Sequence, residues 1–164
     1  MMTSSETHPT TFDVVSDLEV VMTRVFDAPR ELVYQVCTEA QHMAEWWGPA
    51  KLSLPVCEMD VRPGGTYRFV QRDDDGTEYP FSGEFREVVA PSRLVMTQIF
   101  EPYADHEMLV TLTFEDLGNG RTRLTDHMRF DTVESRDATL AAGMESGARE
   151  SYDRMAALLA RLSS

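Results

Sequence analysis

Two polar side chains, those of Asp126 and Gln98, are predicted to lie on strand faces that are otherwise apolar. They are the residues whose type and position suggest a chemical function. Alternation along residues 122–130 puts Asp126 on the same side as Met128, and alternation along residues 94–100 puts Gln98 among apolar neighbours. A polar group buried without a partner costs about 1–3 kcal/mol. We therefore expect the pair to meet each other, an arginine, water or a ligand. A one-residue shift in register or a bulge is the alternative, and either would turn both side chains outward.

A carboxylate in an apolar cavity has a raised pKa, which suits general acid chemistry. Asp126 is therefore the candidate catalytic residue of an enzyme acting on a bound apolar substrate. No set of nucleophile, base and orienting residue can be read around it. The histidines lack metal-ligand spacing, and residues 143–147 (GMESG) do not carry the central serine of a nucleophile elbow. We expect neither a metal nor a cofactor.

Composition excludes several classes of partner. The chain has 164 residues, with 28 acidic and 15 basic side chains and a net charge of −13. That charge argues against nucleic acid and against an anionic membrane surface. The sequence has no apolar run long enough to span a bilayer and no secretory signal at residues 1–11. Cys37 and Cys57 are too few for a disulfide framework, so we expect a reduced, cytoplasmic setting; a Cys37–Cys57 bridge is the alternative.

The order of elements follows from periodicity and turn residues. Residues 1–16 are polar and without pattern, which predicts a flexible N-terminal tail ahead of a single domain over residues 17–164. A strand at residues 18–26 leads into two short helices. Six strand-length runs separated by tight turns then fill residues 51–130, which predicts an antiparallel meander. Apolar residues at spacings of three and four predict one long helix over residues 135–162.

The predicted inner face of the sheet is rich in aromatic residues and methionines. For any one residue this is ordinary core, but large flexible apolar groups as a set suit a cavity that adapts to an apolar ligand. Gly143 and Gly147 each cost stability inside a helix, so we expect close helix–sheet packing there, with room for a ligand as the alternative. The candidate ligand-binding residues are Trp46, Trp47, Tyr67, Phe69, Tyr79, Phe81, Phe85, Met96, Gln98, Phe100, Met108, Val110, Asp126, Met128, Phe130, Met144 and Gly147.

A set of short motifs in fixed order adds a resemblance. These are residues 26–29 (FDAP), 46–49 (WWGP), 59–65 (MDVRPGG), 79–83 (YPFSG) and 91–94 (PSRL). With them the chain resembles the START-like (SRPBCC) superfamily, and more narrowly the branch homologous to the C-terminal domain of the activator of heat-shock-protein ATPase. The resemblance implies an α+β helix-grip fold, in which a curved antiparallel sheet wraps around a long C-terminal helix and leaves a cavity between them.

Three functions stay open at this stage, because a shared fold does not carry a reaction with it. The first is a non-catalytic module that binds an apolar or aromatic small molecule, lipid-like or polyketide-like, with Trp46 and Trp47 near the mouth. The second is an enzyme of the polyketide cyclase, aromatase or hydrolase kind that uses Asp126. The third is a co-chaperone-like stress-response module whose acidic surface docks a basic partner such as a chaperone. An open sheet edge allows a monomer or a weak homodimer.

Overall fold

The computed structural model of the chain describes residues 8–163. One eight-stranded antiparallel sheet has the order β1-β2-β8-β7-β6-β5-β4-β3. The strands are β1 (Thr11–Val14), β2 (Glu19–Phe26), β3 (Ser53–Met59), β4 (Thr66–Arg72), β5 (Glu78–Val89), β6 (Arg93–Phe100), β7 (Glu107–Gly118) and β8 (Arg121–Arg129). The helices are α1 (Arg30–Val36), α2 (Ala40–Trp46), α3 (Val133–Ala141) and α4 (Met144–Ser163), and a 3-10 turn covers Glu101–Tyr103. The predicted α+β architecture, a curved antiparallel sheet with a long C-terminal helix, is confirmed.

The meander from β3 to β8 follows the predicted turn residues. Asn119 and Gly120 both have positive φ, at 57° and 70°, and Gly118 pairs with Arg121 across them. Positive φ at both central positions is the mark of a type I′ turn, whose twist matches a hairpin. The last strand, β8, pairs with β7 on one side and with β2 on the other. The first long strand of the chain therefore lies next to the last strand in the sheet.

The structure corrects the N-terminal prediction. Residues 1–16 are expected to form a tail, but Thr11–Val14 pair with β2 in the register Thr11↔Thr23 to Val14↔Val20. This strand lies at the sheet edge and packs only Phe12 against the core. Its alternation of polar and apolar residues covers just four positions, and its second apolar residue, Val14, is exposed, so the periodic signal is too short to identify a strand. Residues 1–7 of the predicted tail lie outside the described residues.

The predicted single helix over residues 135–162 is in fact two helices. The break falls at Gly143, whose φ of +91° lies in a region that residues with a side chain rarely adopt. Apolar spacing continues across the break, so periodicity could not reveal it. The helix before the break, α3, is capped by Thr132, whose Oγ1 accepts a hydrogen bond from the Ser135 amide at 3.0 Å. None of the residues of α3 is buried, whereas α4 packs against the sheet.

The core lies between the inner face of the sheet and α4. On β2 every second residue is buried, and this set includes a charged one: Val20, Met22, Arg24 and Phe26. The longer β5 does not keep strict alternation, because a bulge between Phe85 and Glu87 shifts its pairing with β6. Within the described part of the chain, no helix is long and apolar enough to cross a membrane.

Candidate functional site

A continuous row of aromatic rings crosses the inner face of the sheet and ends in solvent. Successive ring centroids are separated by 5.5, 4.9, 4.9, 5.3, 5.1 and 5.9 Å. The first ring is 1% exposed and the last 66% exposed, so the row links the core with the surface. We call it the aromatic row; in order it comprises Phe85, Tyr67, Phe69, Trp47, Phe81, Phe100 and Tyr103.

Strand register builds most of this row. Phe69 on β4 lies opposite Phe81 on β5, and Phe81 lies opposite Phe100 on β6. Directly opposed residues of an antiparallel pair share one face and bring their side chains together. Tyr103 extends the row beyond the sheet, because the 3-10 turn follows β6 immediately.

The two adjacent tryptophans have different environments. Trp46 is buried, and its indole Nε1 donates to the carbonyl oxygen of Val36 at 2.8 Å. Trp47 follows the end of α2, is partly exposed, and packs between Phe69 and Phe81. Because the chain leaves the helix between them, consecutive rings point to different parts of the inner face.

The turn after Trp47 is attached to α4 at Gly48, which has a φ of +87°. The Gly48 amide donates to Ser151 Oγ at 2.9 Å, and its carbonyl oxygen accepts from Arg154 Nη1 at 2.6 Å. These two bonds hold the turn against the helix and thereby position the Trp47 ring.

Asp126 forms the polar end of the inner face. It lies on β8 with its carboxyl group toward α4, where Oδ2 accepts a hydrogen bond from the Tyr152 hydroxyl at 3.1 Å. Its other oxygen, Oδ1, is buried and has no hydrogen-bond partner among the described residues. Alternation thus predicts the helix-facing side of β8 correctly, and the outward alternative is wrong. Of the partners left open for Asp126, Gln98 is not the one found, because Gln98 lies opposite Met108 whereas Asp126 lies opposite Leu112.

Burial governs the protonation of this cluster. Removal from water raises the pKa of Asp126 from 3.8 to about 6, and the hydrogen bond from Tyr152 opposes that rise. Burial and the nearby Asp126 charge raise the pKa of Tyr152 well above its usual range. Burial likewise raises the pKa of the Cys37 thiol. Asp126 is therefore the group in this cluster that exchanges a proton near neutral pH, while Tyr152 and Cys37 stay neutral.

The aromatic row and Asp126 are connected across the inner face of the sheet. At the buried end of the row, Phe85 lies opposite Met96, and Met96 lies opposite Val110. Val110 lies opposite Met128, which is two residues from Asp126 on the same face of β8. One apolar surface therefore extends from the exposed end of the row to a carboxylate acceptor.

Burial of the inner face is incomplete beside α4. Met96, Met108 and Leu112 on the strands, and Met144 at the start of α4, pack against the core yet stay partly exposed. A Cβ added at Gly147 would meet no atom within 4 Å, so the expectation of close packing at this glycine is wrong and open space takes its place. The register places Met96, Met108 and Leu112 around Val110 on one face; we call this partly exposed area, together with Met144 and Gly147 at the start of α4, the inner recess.

The structure divides the predicted ligand-binding residues into two groups. The buried group consists of Trp46, Tyr67, Phe69, Phe85, Val110, Met128 and Phe130. The partly exposed group consists of Trp47, Tyr79, Phe81, Met96, Gln98, Phe100, Met108, Asp126, Met144 and Gly147. Tyr79 is outside the aromatic row, because its hydroxyl donates to Asp73 Oδ2 at 3.0 Å in the β4–β5 hairpin. The second group, without Tyr79, faces accessible space.

Sequence reasoning missed Tyr152 and Arg24. Tyr152 lies three residues before Met155, on the buried stripe of α4, so helical spacing could have found it. Arg24 is 1% exposed, and its Nη1 donates to Asp153 Oδ1 at 2.6 Å. Alternation along β2 places this arginine beside Phe26, whose ring lies 5.3 Å from the guanidinium carbon, and that pattern was readable in the sequence.

The predicted disulfide alternative is wrong, since Cys37 and Cys57 are both free thiols. Burial raises the pKa of Cys57 to about 11, so neither cysteine is a thiolate near neutral pH. Among residues 8–163 no group of three histidine, cysteine or acidic side chains is arranged to hold a metal ion.

A second depression lies on the opposite, outer face of the sheet, with a volume of about 560 Å³. It sits where β5 and β6 separate: the Glu84 amide donates to Thr97 Oγ1 at 2.9 Å, and the Tyr67 hydroxyl donates to the Thr97 carbonyl oxygen at 2.6 Å. Gly83 makes this possible, because a Cβ there would lie 1.9 Å from that carbonyl oxygen. The rim is charged, and its Arg68 is already bound by both carboxylate oxygens of one glutamate.

Together these features define a START-like helix-grip domain, a class of ligand-binding modules in which a sheet wraps around a C-terminal helix. The chain belongs to the Activator of Hsp90 ATPase homolog 1-like protein family, whose sequence profile matches residues 27–160. The predicted membership is thereby confirmed. No curated protein matches the sequence significantly.

Solved structures from several bacteria share the fold over nearly their whole length. A Rhodobacter sphaeroides protein has a TM-score of 0.85 at 24% identity, covering 93% of this chain and 99% of that one. Protein NE0264 from Nitrosomonas europaea has a TM-score of 0.82 at 26% identity, with coverage of 92% and 99%. Protein CV1439 from Chromobacterium violaceum has a TM-score of 0.78 at 26% identity, with coverage of 88% and 98%.

Proposed function

We propose that this chain binds an apolar or aromatic small molecule, lipid-like or polyketide-like, on the inner face between the sheet and α4. The aromatic row is the observation that carries this proposal. It runs without interruption from a buried ring to an exposed one, and such a surface gives a ligand a path of stacking partners from solvent to core. Offset and edge-on ring contacts add about 0.5–1.5 kcal/mol each beyond the burial of apolar area.

Two further observations support an adaptable site. Met96, Met108 and Met144 flank the inner recess, and unbranched thioether side chains refill space around ligands of different shape. The neighbouring α3 buries none of its residues, so displacing it disrupts little packing.

The adjacent tryptophans provide the test. In a Trp46→Phe variant the remaining reporter is Trp47, within the aromatic row; in Trp47→Phe it is the buried Trp46. We expect fatty acids or flavonoids to change tryptophan emission strongly in the first variant and weakly in the second. Native mass spectrometry of freshly purified protein should also show an extra mass that is lost on denaturation.

Affinity should depend on the row itself. Phe81→Ala should weaken binding about tenfold, which corresponds to roughly 1.4 kcal/mol. The matched control is Ile99→Ala: Ile99 precedes Phe100 on β6 but lines the outer depression, so it should leave affinity within about twofold of wild type, inside the spread of an ordinary surface change. If both variants bind the ligand with equal affinity and native mass spectra show only the mass of the unliganded protein, the proposal is wrong.

An enzyme using the same ligand is the second candidate, and the Asp126–Tyr152 pair favours it. A carboxyl group that titrates near pH 6 can give or accept a proton during cyclisation, dehydration or hydrolysis. Asp126→Asn should then keep ligand binding but abolish turnover, and undiminished turnover would exclude Asp126 from the reaction. Docking of a basic partner such as a chaperone stays a prediction, and its test is salt-sensitive capture of the purified partner.

A further inference from the structure

The interior of the domain contains a hydrogen-bond acceptor that the described residues leave unused. Asp126 Oδ1 is buried and has no partner among residues 8–163, while Oδ2 takes the single donor hydrogen of Tyr152. A carboxylate can accept several hydrogen bonds, and a buried acceptor without a partner is unfavourable.

None of the neighbouring side chains can supply the missing donor. The residues opposite Asp126 in the sheet are Met22 and Leu112, which have no polar hydrogen. The thiol of Cys37 is a weak donor. His127 is adjacent in sequence, but its Nε2 contacts Glu19 Oε2 at 2.6 Å, and alternation sends it to the other face of β8.

The other polar groups of the inner face lie away from Oδ1. Arg24 lies opposite Leu124, two residues along β8 from Asp126; its Nη1 binds Asp153, and its buried Nε and Nη2 donate neither to Oδ1 nor to another described residue. Gln98 lies opposite Met108, four positions along β7 from the residue that faces Asp126. Within residues 8–163 Oδ1 thus has no donor, which makes a bound molecule the candidate to supply one.

The position of Asp126 Oδ1 indicates what kind of molecule can donate a hydrogen bond to it. The carboxyl group lies between β8 and α4, and Met128, Val110 and Met96 on the sheet connect it with the buried end of the aromatic row. Leu112, its direct neighbour on β7, flanks the inner recess and is partly exposed. A ligand whose apolar body lies along the row can thus reach the carboxylate with one end.

We infer that the ligand of the inner recess is an aromatic or apolar molecule carrying a hydroxyl group, which donates a hydrogen bond to Asp126 Oδ1. This inference rests on the proposed function and adds the polar group of the ligand to it. A neutral hydroxyl suits the site because entry of a charged group into an apolar interior is strongly opposed. A trapped water is the other source of a donor, and the experiment separates the two.

The probes are 2-naphthol and 2-methoxynaphthalene, which share one ring system and differ in having or lacking a donor. Equilibrium dialysis at neutral pH measures the affinity of each for the wild-type chain and for Asp126→Leu. Hydrogen bonds to charged groups predict a preference for naphthol of about tenfold or more in the wild type. Asp126→Leu should abolish that preference while keeping the affinity for the ether within about twofold, since the apolar contacts of the ring system are unchanged.

A conservative variant keeps the test decisive if Asp126→Leu does not fold. Asp126→Asn has one side-chain oxygen, which accepts from Tyr152, and it places an NH2 donor at the position of Oδ1. Both probes can accept from that NH2, so the naphthol preference should fall about threefold or more. An unchanged preference in either folded variant would overturn the inference by pointing to another acceptor.

The remaining outcomes distinguish failure of this inference from failure of the proposed function on which it rests. Equal affinity of the wild type for both probes means that water or nothing occupies Oδ1; the hydroxyl inference then fails while apolar binding stands. Binding of neither probe, with native mass spectra free of any carried ligand, removes both proposals together.

Discussion

Replacing Asp126 by asparagine should stabilise the protein at neutral pH, although it removes the charge of a candidate functional residue. Burial raises the pKa of this carboxyl group from 3.8 to about 6, so the folded state disfavours the ionised form. At roughly 1.4 kcal/mol per unit of pKa, that difference amounts to about 3 kcal/mol. The substituted amide is never ionised and still offers an oxygen to the Tyr152 hydroxyl, so the variant avoids most of this penalty.

The sign depends on pH in a specific way. Below about pH 4 the carboxyl group is protonated in both the folded and the unfolded chain, and it contributes no penalty. Between about pH 4 and 6 the unfolded chain loses its proton first, so the wild type loses stability as the pH rises. Above about pH 6 the penalty is complete. The free energy of unfolding of Asp126→Asn minus that of the wild type should therefore grow from near zero at pH 4 to about 3 kcal/mol at pH 7.

The groups packed around Asp126 do not obscure this signal. Tyr152 and Cys37 have raised pKa values and stay neutral throughout the window. His127, whose charge slightly favours the carboxylate, is present in both proteins. Urea unfolding between pH 4 and 7.5 measures the difference directly. A difference that is constant with pH, or that favours the wild type at pH 7, would refute the burial argument.

A surface carboxylate provides a control of opposite sign. Partial burial opposes it, but hydrogen bonds from His106, Ser135 and Thr132 lower the pKa of Asp131. A lowered folded-state pKa stabilises the fold above the unfolded pKa, and that stabilisation is lost as the pH falls. Asp131→Asn should therefore be less stable than the wild type at pH 7 and approach it under acidic conditions, the reverse of Asp126→Asn.

Four further substitutions test the backbone and the caps by urea unfolding and hydrogen exchange. Gly143→Ala should cost about 1–2 kcal/mol, because its φ of +91° strains any residue with a side chain. Gly147→Ala should instead add about 0.5–1 kcal/mol, since the new methyl group meets open space within a helix. Gly83→Ala should cost about 1–3 kcal/mol, because its Cβ would overlap the Thr97 carbonyl oxygen. Thr132→Ala should remove about 1 kcal/mol from α3 and speed hydrogen exchange there without changing global stability, because α3 buries no residue.

The sheet could be predicted because its signals are local. Each strand-length run is bounded by turn residues, and Asn119-Gly120 specifies its hairpin through positive φ at both positions. Alternation then assigns Asp126 to the helix-facing side. The same rule fails within β5, because the bulge after Phe85 inserts a residue without any mark in the sequence.

The sequence indicates aromatic residues on the inner face of the sheet, but it does not indicate that their rings form a continuous row. Phe69, Phe81 and Phe100 come together through the register of three strands, and register depends on the whole sheet. Trp47 joins them because Gly48, in the turn that follows it, forms hydrogen bonds with Ser151 and Arg154 of α4. Such contacts between parts of the chain about 100 residues apart leave no periodic signal.

Periodicity indicates which face of an element is apolar, but not whether that face is filled. The apolar stripe continues from α3 through Gly143 into α4, and read as one helix it would cover the sheet completely. The break at Gly143 separates α3, which buries nothing, from α4, which buries Tyr152 and Met155. The methionines of β6 and β7 are partly exposed, so a continuous apolar pattern in the sequence does not establish a closed core.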